Sequence, residues 1–363
     1  MPDMRFAPPN PLRITDRASG LNATSVRGYN ERLVLSLLLQ SQGTTRLEIG
    51  ERTGLSAQTV SVLVRSLEQE GLVTKGAAQK GRVGPPTTPL LLNADGAFSV
   101  GISVGSDSCD IVLVDFVGTV RFSTTLANAK DSNPTNHPKF LDAIRETIAK
   151  LPASTQERLA GIGLALPSSP GLAKSSDDYH ELQAEIEKAL GYPVFAQNEM
   201  AAAAAGESMF GVAKSYTDYL YCYLGDDLHS RIILNHQIYN SNSAHSVDMG
   251  ENALLRSLKA QGVKAVAGEP LEAAWSAAPD KFKPWLDQLV DHLAQTATML
   301  SQFVAFKTII INSKLPAALL QEACTLVTAR IDGVETICGR PIFSPIALGA
   351  ASLPLSSRFM VEQ

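Results

Sequence analysis

The chain has little cysteine. Cys109, Cys222, Cys324 and Cys338 stand far apart, and no C-x-x-C pair occurs. That scarcity argues against a clustered zinc site, and it suits a reducing cytosol. Long apolar runs are also missing: no uncharged apolar run approaches the ~20 residues a membrane span needs. The opening residues, MPDMRFAPPNPLR, are polar and proline-rich and lack the apolar segment of a secretory leader. A cytoplasmic protein with no membrane partner is therefore expected. Charge is modest at 18% against 45% hydrophobic residues, which argues against global disorder. A length of 363 residues leaves room for about two or three domains.

An excess of positive charge is absent too, since the net charge is −5. The balance changes when it is divided along the chain. Residues 1–92 hold eleven Lys and Arg against seven Asp and Glu, a surplus of four, so the remainder carries −9. Phosphate neutralisation needs local positive charge, so a basic head on an acidic body directs any DNA contact to the head.

Residues 1–20 read as a flexible arm. A first helix is expected over about Tyr29–Gln40, with Leu33, Leu37 and Leu38 at helical spacing. Thr45-Arg46-Leu47-Glu48 has the form of a capping box and opens a second helix, expected to bury Leu47 and Ile49 and to stop at Gly54. Ser56 caps a third helix to about Glu70, with Val60, Leu63, Val64 and Leu67 as its apolar stripe. Its other face carries Ser56, Gln58, Thr59, Ser61 and Arg65, side-chain types that hydrogen-bond base edges and phosphates. Strands near Gly71–Val73 and Pro89–Leu92 flank a glycine-rich tip with Lys80 and Arg82. Helix, turn, helix and basic hairpin make a winged helix-turn-helix, whose third helix suits a major groove and whose tip reaches phosphates or the minor groove. The alternative is a small helical bundle with an ordinary loop.

From Ala97 the pattern changes. Strands are expected at 98–104, 110–115 and 119–124, then a helix at 138–151 and a strand at 159–166. A helix over 179–190, a strand over 193–197 and a helix from Ala201 follow. A second hairpin spans 219–224 and 231–234, and a strand lies at 308–311. Two meanders, each followed by helices, predict two related α/β lobes enclosing a cleft. His180, His229, His236 and His245 show no i, i+4 pairing on a helix and read as surface or loop residues. The Ala201–Ala205 run reads as a tightly packed helix.

In order and spacing, several segments together resemble the ROK family of repressors and sugar kinases. They are Gly81-Arg82-Val83-Gly84 leading to Leu92-Asn93-Ala94-Asp95-Gly96, then Gly161-Ile162-Gly163-Leu164-Ala165-Leu166-Pro167, Gly191-Tyr192-Pro193-Val194 and Asn198-Glu199-Met200. Ile233-Leu234-Asn235 and Leu348-Gly349-Ala350-Ala351 complete the series. The resemblance implies an α/β fold: a winged helix-turn-helix over 21–92 and a two-lobed actin/hexokinase-like domain over 93–363.

It also exposes departures. The family's kinases hold ATP on glycine-rich turns, because only glycine lets backbone N–H groups approach phosphates closely. Where the first turn should read Asp-x-Gly-Gly-Thr, this chain has Ser103-Val104-Gly105-Ser106-Asp107. The second is Gly225-Asp226-Asp227-Leu228-His229, with two acids that repel a triphosphate. The adenosine-side Gly-Gly is Asn312-Ser313. By the resemblance, Asn198 and Glu199 occupy the sugar and general-base positions, Asp248 replaces a sugar-contacting Glu, and Glu251 replaces a His that touches sugar and zinc. No cysteine lies between Cys222 and Cys324, so neither zinc nor another cofactor is expected.

The expectation is a transcriptional repressor without kinase activity. It would bind a palindromic operator as a homodimer or higher homo-oligomer, with Asn198, Glu199, Asp248 and Glu251 receiving a neutral sugar or polyol. The wing should bind more weakly than in close relatives, because the family's usual second Arg is Pro85 here. Two alternatives stand beside it: an active sugar kinase with a DNA-binding head, and a regulator whose body only dimerises. Under the last, the four polar residues line a solvated cleft left over from ancestry.

Overall fold

The computed structural model describes residues 23–41, 43–78, 87–105, 108–127, 139–167, 176–239, 246–264, 271–339 and 343–361. The arm expected over 1–20, the wing tip with Lys80 and Arg82, the pair Ser106-Asp107, and His245 lie outside those residues.

The head begins with α1 (Ala23–Gln40), α2 (Arg46–Thr53) and α3 (Ala57–Gln69). Helix α1 starts before the expected Tyr29, because its first turns carry no apolar periodicity and simply extend a helix already nucleated around Val34, Leu35, Leu37 and Leu38. The capping box of α2 forms as read. The Glu48 carboxylate accepts from the Thr45 N–H at 2.8 Å, and Thr45 Oγ1 accepts from the Glu48 N–H at 3.3 Å. Gly54 ends α2 in the left-handed region, at φ 72°. Burial of Leu47 is corrected: Ile49 is fully buried, but Leu47 is 72% exposed. Two positions along a helix turn through roughly 200°, so one side of α2 cannot bury both.

Strands β1 (Val73–Lys75) and β2 (Leu90–Leu92) pair antiparallel, and Thr44 exchanges two backbone hydrogen bonds with Leu90 along the far side of β2. Asn93 then reaches back, its amide donating to Gly71 O at 2.7 Å. Arg158 donates to Asp95 O at 3.1 Å. The boundary expected between 92 and 93 falls at this joint, inside the first of two compact units (Met1–Leu166, Leu172–Gln197 and Ala350–Gln363).

That unit continues with β3 (Phe98–Val104), β4 (Ser108–Asp115), β5 (Val120–Ala127), α4 (Phe140–Ile148), β6 (Leu159–Leu166), α5 (Ser176–Leu190) and β7 (Val194–Asn198). Its sheet runs β5-β4-β3-β6-β7, antiparallel through the meander and parallel from β3 to β6. Val100, Ile102, Ile111, Leu113, Ile162 and Leu164 form its core with Ile144 of α4 and Ile186 of α5. Each such side chain contributes ~1.5–3 kcal/mol on burial.

The second unit holds α6 (Glu199–Phe210), β8 (Tyr219–Leu224), β9 (Leu228–Leu234), β10 (Gln237–Ile238), β11 (Ser246–Val247), α7 (Glu251–Ala260), α8 (Lys283–Leu300), β12 (Thr308–Ser313), α9 (Ala317–Arg330) and β13 (Glu335–Cys338). Its sheet runs β10-β9-β8-β12-β13. The order repeats that of the first sheet, an antiparallel meander followed by parallel strands, so the two lobes are related as the meanders predict. The final helix α10 (Pro345–Phe359) supplies Ala350–Phe359 to the first unit. A Cβ at Gly163 would lie 1.7 Å from Ala350 O, so only glycine lets β6 run this close to α10. At the end of α10, Ser36 of the head accepts from the Val361 N–H at 3.0 Å.

Candidate DNA-binding head and effector site

Helix α3 turns Val60, Leu63, Val64 and Leu67 inward, leaving Gln58, Ser61, Val62 and Arg65 exposed. Three hydroxyls proposed to read DNA are already engaged locally. Ser56 Oγ accepts from the Thr59 N–H at 3.1 Å and lies 2.8 Å from Thr59 Oγ1. Ser61 donates to Ala57 O at 2.8 Å. Ser56 thus acts first as the N-cap of α3. Gln58 and Arg65 stand outward on long side chains, the types that reach base edges and phosphates. Val62, 57% exposed on the same helix, offers an apolar contact of the kind thymine methyl groups accept. The sequence pattern already turns Val62 away from the apolar stripe but gives it no DNA-reading role, because an isolated valine in an amphipathic helix reads as noise.

In the second unit, Asn198 caps α6, its Oδ1 accepting from the Ala201 N–H at 2.8 Å, and Glu199 opens the helix half-buried. A carboxylate in the first turn gains from the helix dipole. Ala201–Ala204 behind it are buried, as their run implies. Asp248 and Glu251 flank the β8–β9 turn. The backbone N–H groups of Glu251 and Asn252 donate to Gly225 O and Asp226 O, at 2.8 and 3.2 Å. Gly250 permits this: a Cβ there would lie 2.4 Å from Gly225 O. Ser246 donates to Asp227 Oδ2 at 2.9 Å. Arg256 of α7 grips both carboxylate oxygens of Asp248. Sequence reasoning missed Arg256, since nothing marks it until the start of α7 fixes which residues face the Asp248 turn.

The same geometry bears on the nucleotide-side turns. A phosphate cradle needs open backbone N–H groups. Here the Gly225 N–H closes on Asp227 O at 3.0 Å, and the turn's carbonyls face the start of α7. Asn312 is 2% exposed, and its amide donates to Glu207 Oε2 at 2.8 Å. That amide lies against Gly339, where a Cβ would stand 1.1 Å from Asn312 Oδ1. Ser313 donates to Leu224 O at 2.7 Å. Backbone bonds thus close the turn at Gly225, and packed side chains stand at Asn312 and Ser313, where the resemblance implies glycines.

His229, expected on the surface or in a loop, sits half-buried within β9, its Nδ1 without a hydrogen-bond partner among the described residues. Burial holds its imidazole below the usual pKa, with nearby Asp227 opposing. His236, in the turn after β9, is likewise lowered by burial, and His180 is exposed on α5.

Residues 99–260 match the model of the ROK family, and residues 28–74 match that of a winged helix-turn-helix DNA-binding domain. A xylose repressor of Bacillus spizizenii is 29% identical over 237 residues, covering 62% of this chain and 61% of the relative. The chain therefore matches less than two thirds of that repressor's length. Among solved structures, a ROK family transcriptional regulator described as a homologue of the Escherichia coli MLC protein superposes with a TM-score of 0.65 at 17% identity, covering 92% of this chain and 96% of the other. A Streptomyces griseus ROK glucokinase, solved with glucose and AMPPNP, gives 0.51 at 18% identity, over 71% of this chain and 99% of its own. Sheets, head and matches agree: residues 99–260 are similar to the ROK family on an actin/hexokinase-like fold, and residues 28–74 are similar to a winged helix-turn-helix DNA-binding domain.

Proposed function

We propose that this chain is a cytoplasmic transcriptional repressor that binds operator DNA as a homo-oligomer, answers to a neutral sugar or polyol, and transfers no phosphoryl group. The observation that carries it is the exposed polar face of α3, with Gln58 and Arg65 outward on a head whose three helices pack beside the paired strands β1 and β2. The name of the xylose repressor relative supports the sugar-responsive reading and makes xylose the first compound to try. The filled turns around Gly225 and Asn312 support the absence of kinase activity. Asn198, Glu199, Asp248 and Glu251 remain the proposed effector residues, joined by Arg256. Domain limits at 20 and 92 are kept in the same sense.

The test begins with duplexes selected from a random pool by the purified protein. A palindromic consensus whose affinity falls with Arg65→Ala, and is altered by xylose or another neutral sugar, supports the reading. Sugar-dependent ATP turnover that disappears with Glu199→Gln overturns it. One observation favours a second reading, a body that binds no ligand: Arg256 already occupies the Asp248 carboxylate. If no sugar alters DNA affinity or thermal midpoint, that reading replaces the first.

A further inference from the structure

Two of the four cysteines, fourteen positions apart, meet in the fold. Cys324 lies on α9, 1% exposed in the core of the second unit, and Cys338 ends β13, an outer strand of that sheet, half-buried. Their sulfurs are 3.1 Å apart, and the Cys338 thiol also reaches Gln321 Oε1 at 3.5 Å. A disulfide needs about 2 Å between sulfurs. Closing the gap takes an approach of about 1 Å, within reach of a side-chain rotation at a strand end.

The two thiols are not equivalent. The hydrogen bond between the two sulfurs holds Cys338 below the usual thiol pKa. That bond, with burial, pushes Cys324 up. A lowered, half-exposed thiol beside a buried one has the asymmetry of an attacking and a resolving cysteine. Cys109 and Cys222 differ: both are fully buried, and burial pushes their thiols up to about 12 and about 11.

We propose that Cys338 and Cys324 are the attacking and resolving thiols of a reversible intrachain disulfide formed by a hydroperoxide. The Cys338 thiolate attacks the outer peroxide oxygen and the O–O bond breaks. Cys338 becomes a sulfenic acid, and the remaining oxygen leaves as hydroxide or alkoxide, which takes up the proton the Cys338 thiol released and becomes water or an alcohol. Cys324 sulfur then attacks the Cys338 sulfur. The S–S bond forms, the S–O bond breaks, and the departing hydroxide takes the Cys324 proton to leave as water. The pair loses two electrons to the peroxide, and a cellular thiol returns them by exchange. Cys338 precedes Gly339, which lies against the Asn312 amide, and Asn312 in turn holds Glu207 of α6. The disulfide would therefore form beside the network that anchors the helix opened by Glu199.

The full-length protein, reduced and desalted, is treated with hydrogen peroxide. The expected product has lost the mass of two hydrogen atoms, yields a 324–338 linked peptide under non-reducing digestion, and reverts with dithiothreitol. Cys324→Ser should stall at a Cys338 sulfenic acid that dimedone tags, and Cys338→Ser should give neither link nor tag at Cys324. Links through Cys109 or Cys222 in place of this pair, links only between chains, dimedone on Cys324, or thiols that stay reduced in peroxide overturn the proposal. The wild-type peptide map decides even if a variant fails to fold.

Discussion

Ser56 and Gln58 are two positions apart on the same face of the head, yet they have different physical roles. Ser56 Oγ satisfies an otherwise orphaned N–H at the start of α3. Ser56→Ala should cost about 1 kcal/mol of stability, read as a lower denaturation midpoint. Gln58 is exposed, with no role in the core. Gln58→Ala should leave stability within about 0.5 kcal/mol and weaken operator binding by about 1–3 kcal/mol. Equal stability losses in the two variants would contradict this division. His229 supplies a pH-dependent counterpart. Its folded pKa is below the unfolded value near 6.5, so the unfolded chain binds more protons as pH falls. Stability is complete above about pH 6.5 and declines as pH drops through the folded value, with His236 adding in the same direction. Thermal midpoints from pH 7.5 to 5.5 should fall, and His229→Gln should flatten the slope; an unchanged slope refutes the assignment.

At the scale of elements, local signals and long-range ones separate cleanly. The capping box at Thr45, the cap at Ser56 and the β3–β4 and β8–β9 meanders were legible, because each is decided by residues a few positions apart. The early start of α1 was not, since residues 23–28 carry no apolar period. Leu47 was misplaced because the α2 pattern was read without turning it around the helix axis. Strands β11 and β13 are short and mark no alternation of their own; they exist because β9 and β12 offer them partners. The site divides in the same way. Asn198 and Glu199 follow from the resemblance, but Arg256 and the contact between Asn312 and Gly339 need the fold. That last contact gives a test. Gly339→Ala should destabilise the protein by about 1–3 kcal/mol through overpacking against Asn312. Asn312→Gly in the same chain should recover part of the loss in a double-mutant cycle. Strict additivity of the two would mean the amide does not press on Gly339.

For the molecule as a whole, charge is the property that couples sequence to choice of ligand. The first 92 residues carry a surplus of four positive charges and the remainder −9, so DNA affinity belongs to the head and should weaken with salt. The body should select oppositely. Around the β8–β9 turn and the start of α7 stand Asp226, Asp227, Asp248 and Glu251 against Arg231 and Arg256, still an excess of acid after the ion pair between Asp248 and Arg256 is counted. A phosphorylated sugar entering there meets repulsion, whereas a neutral sugar donates hydroxyl protons to carboxylates in charge-assisted bonds. Calorimetry with paired neutral and phosphorylated sugars should show the neutral member at least about tenfold tighter, a difference of about 1.4 kcal/mol. Asp248→Asn sharpens the test, because it removes a carboxylate and frees the Arg256 guanidinium to meet a phosphate. The gap should then narrow, most of all at low salt, where the exposed charges are least screened. A sugar phosphate that binds wild-type protein more tightly than its neutral parent, with no response to Asp248→Asn, would show that these acids do not line the effector site.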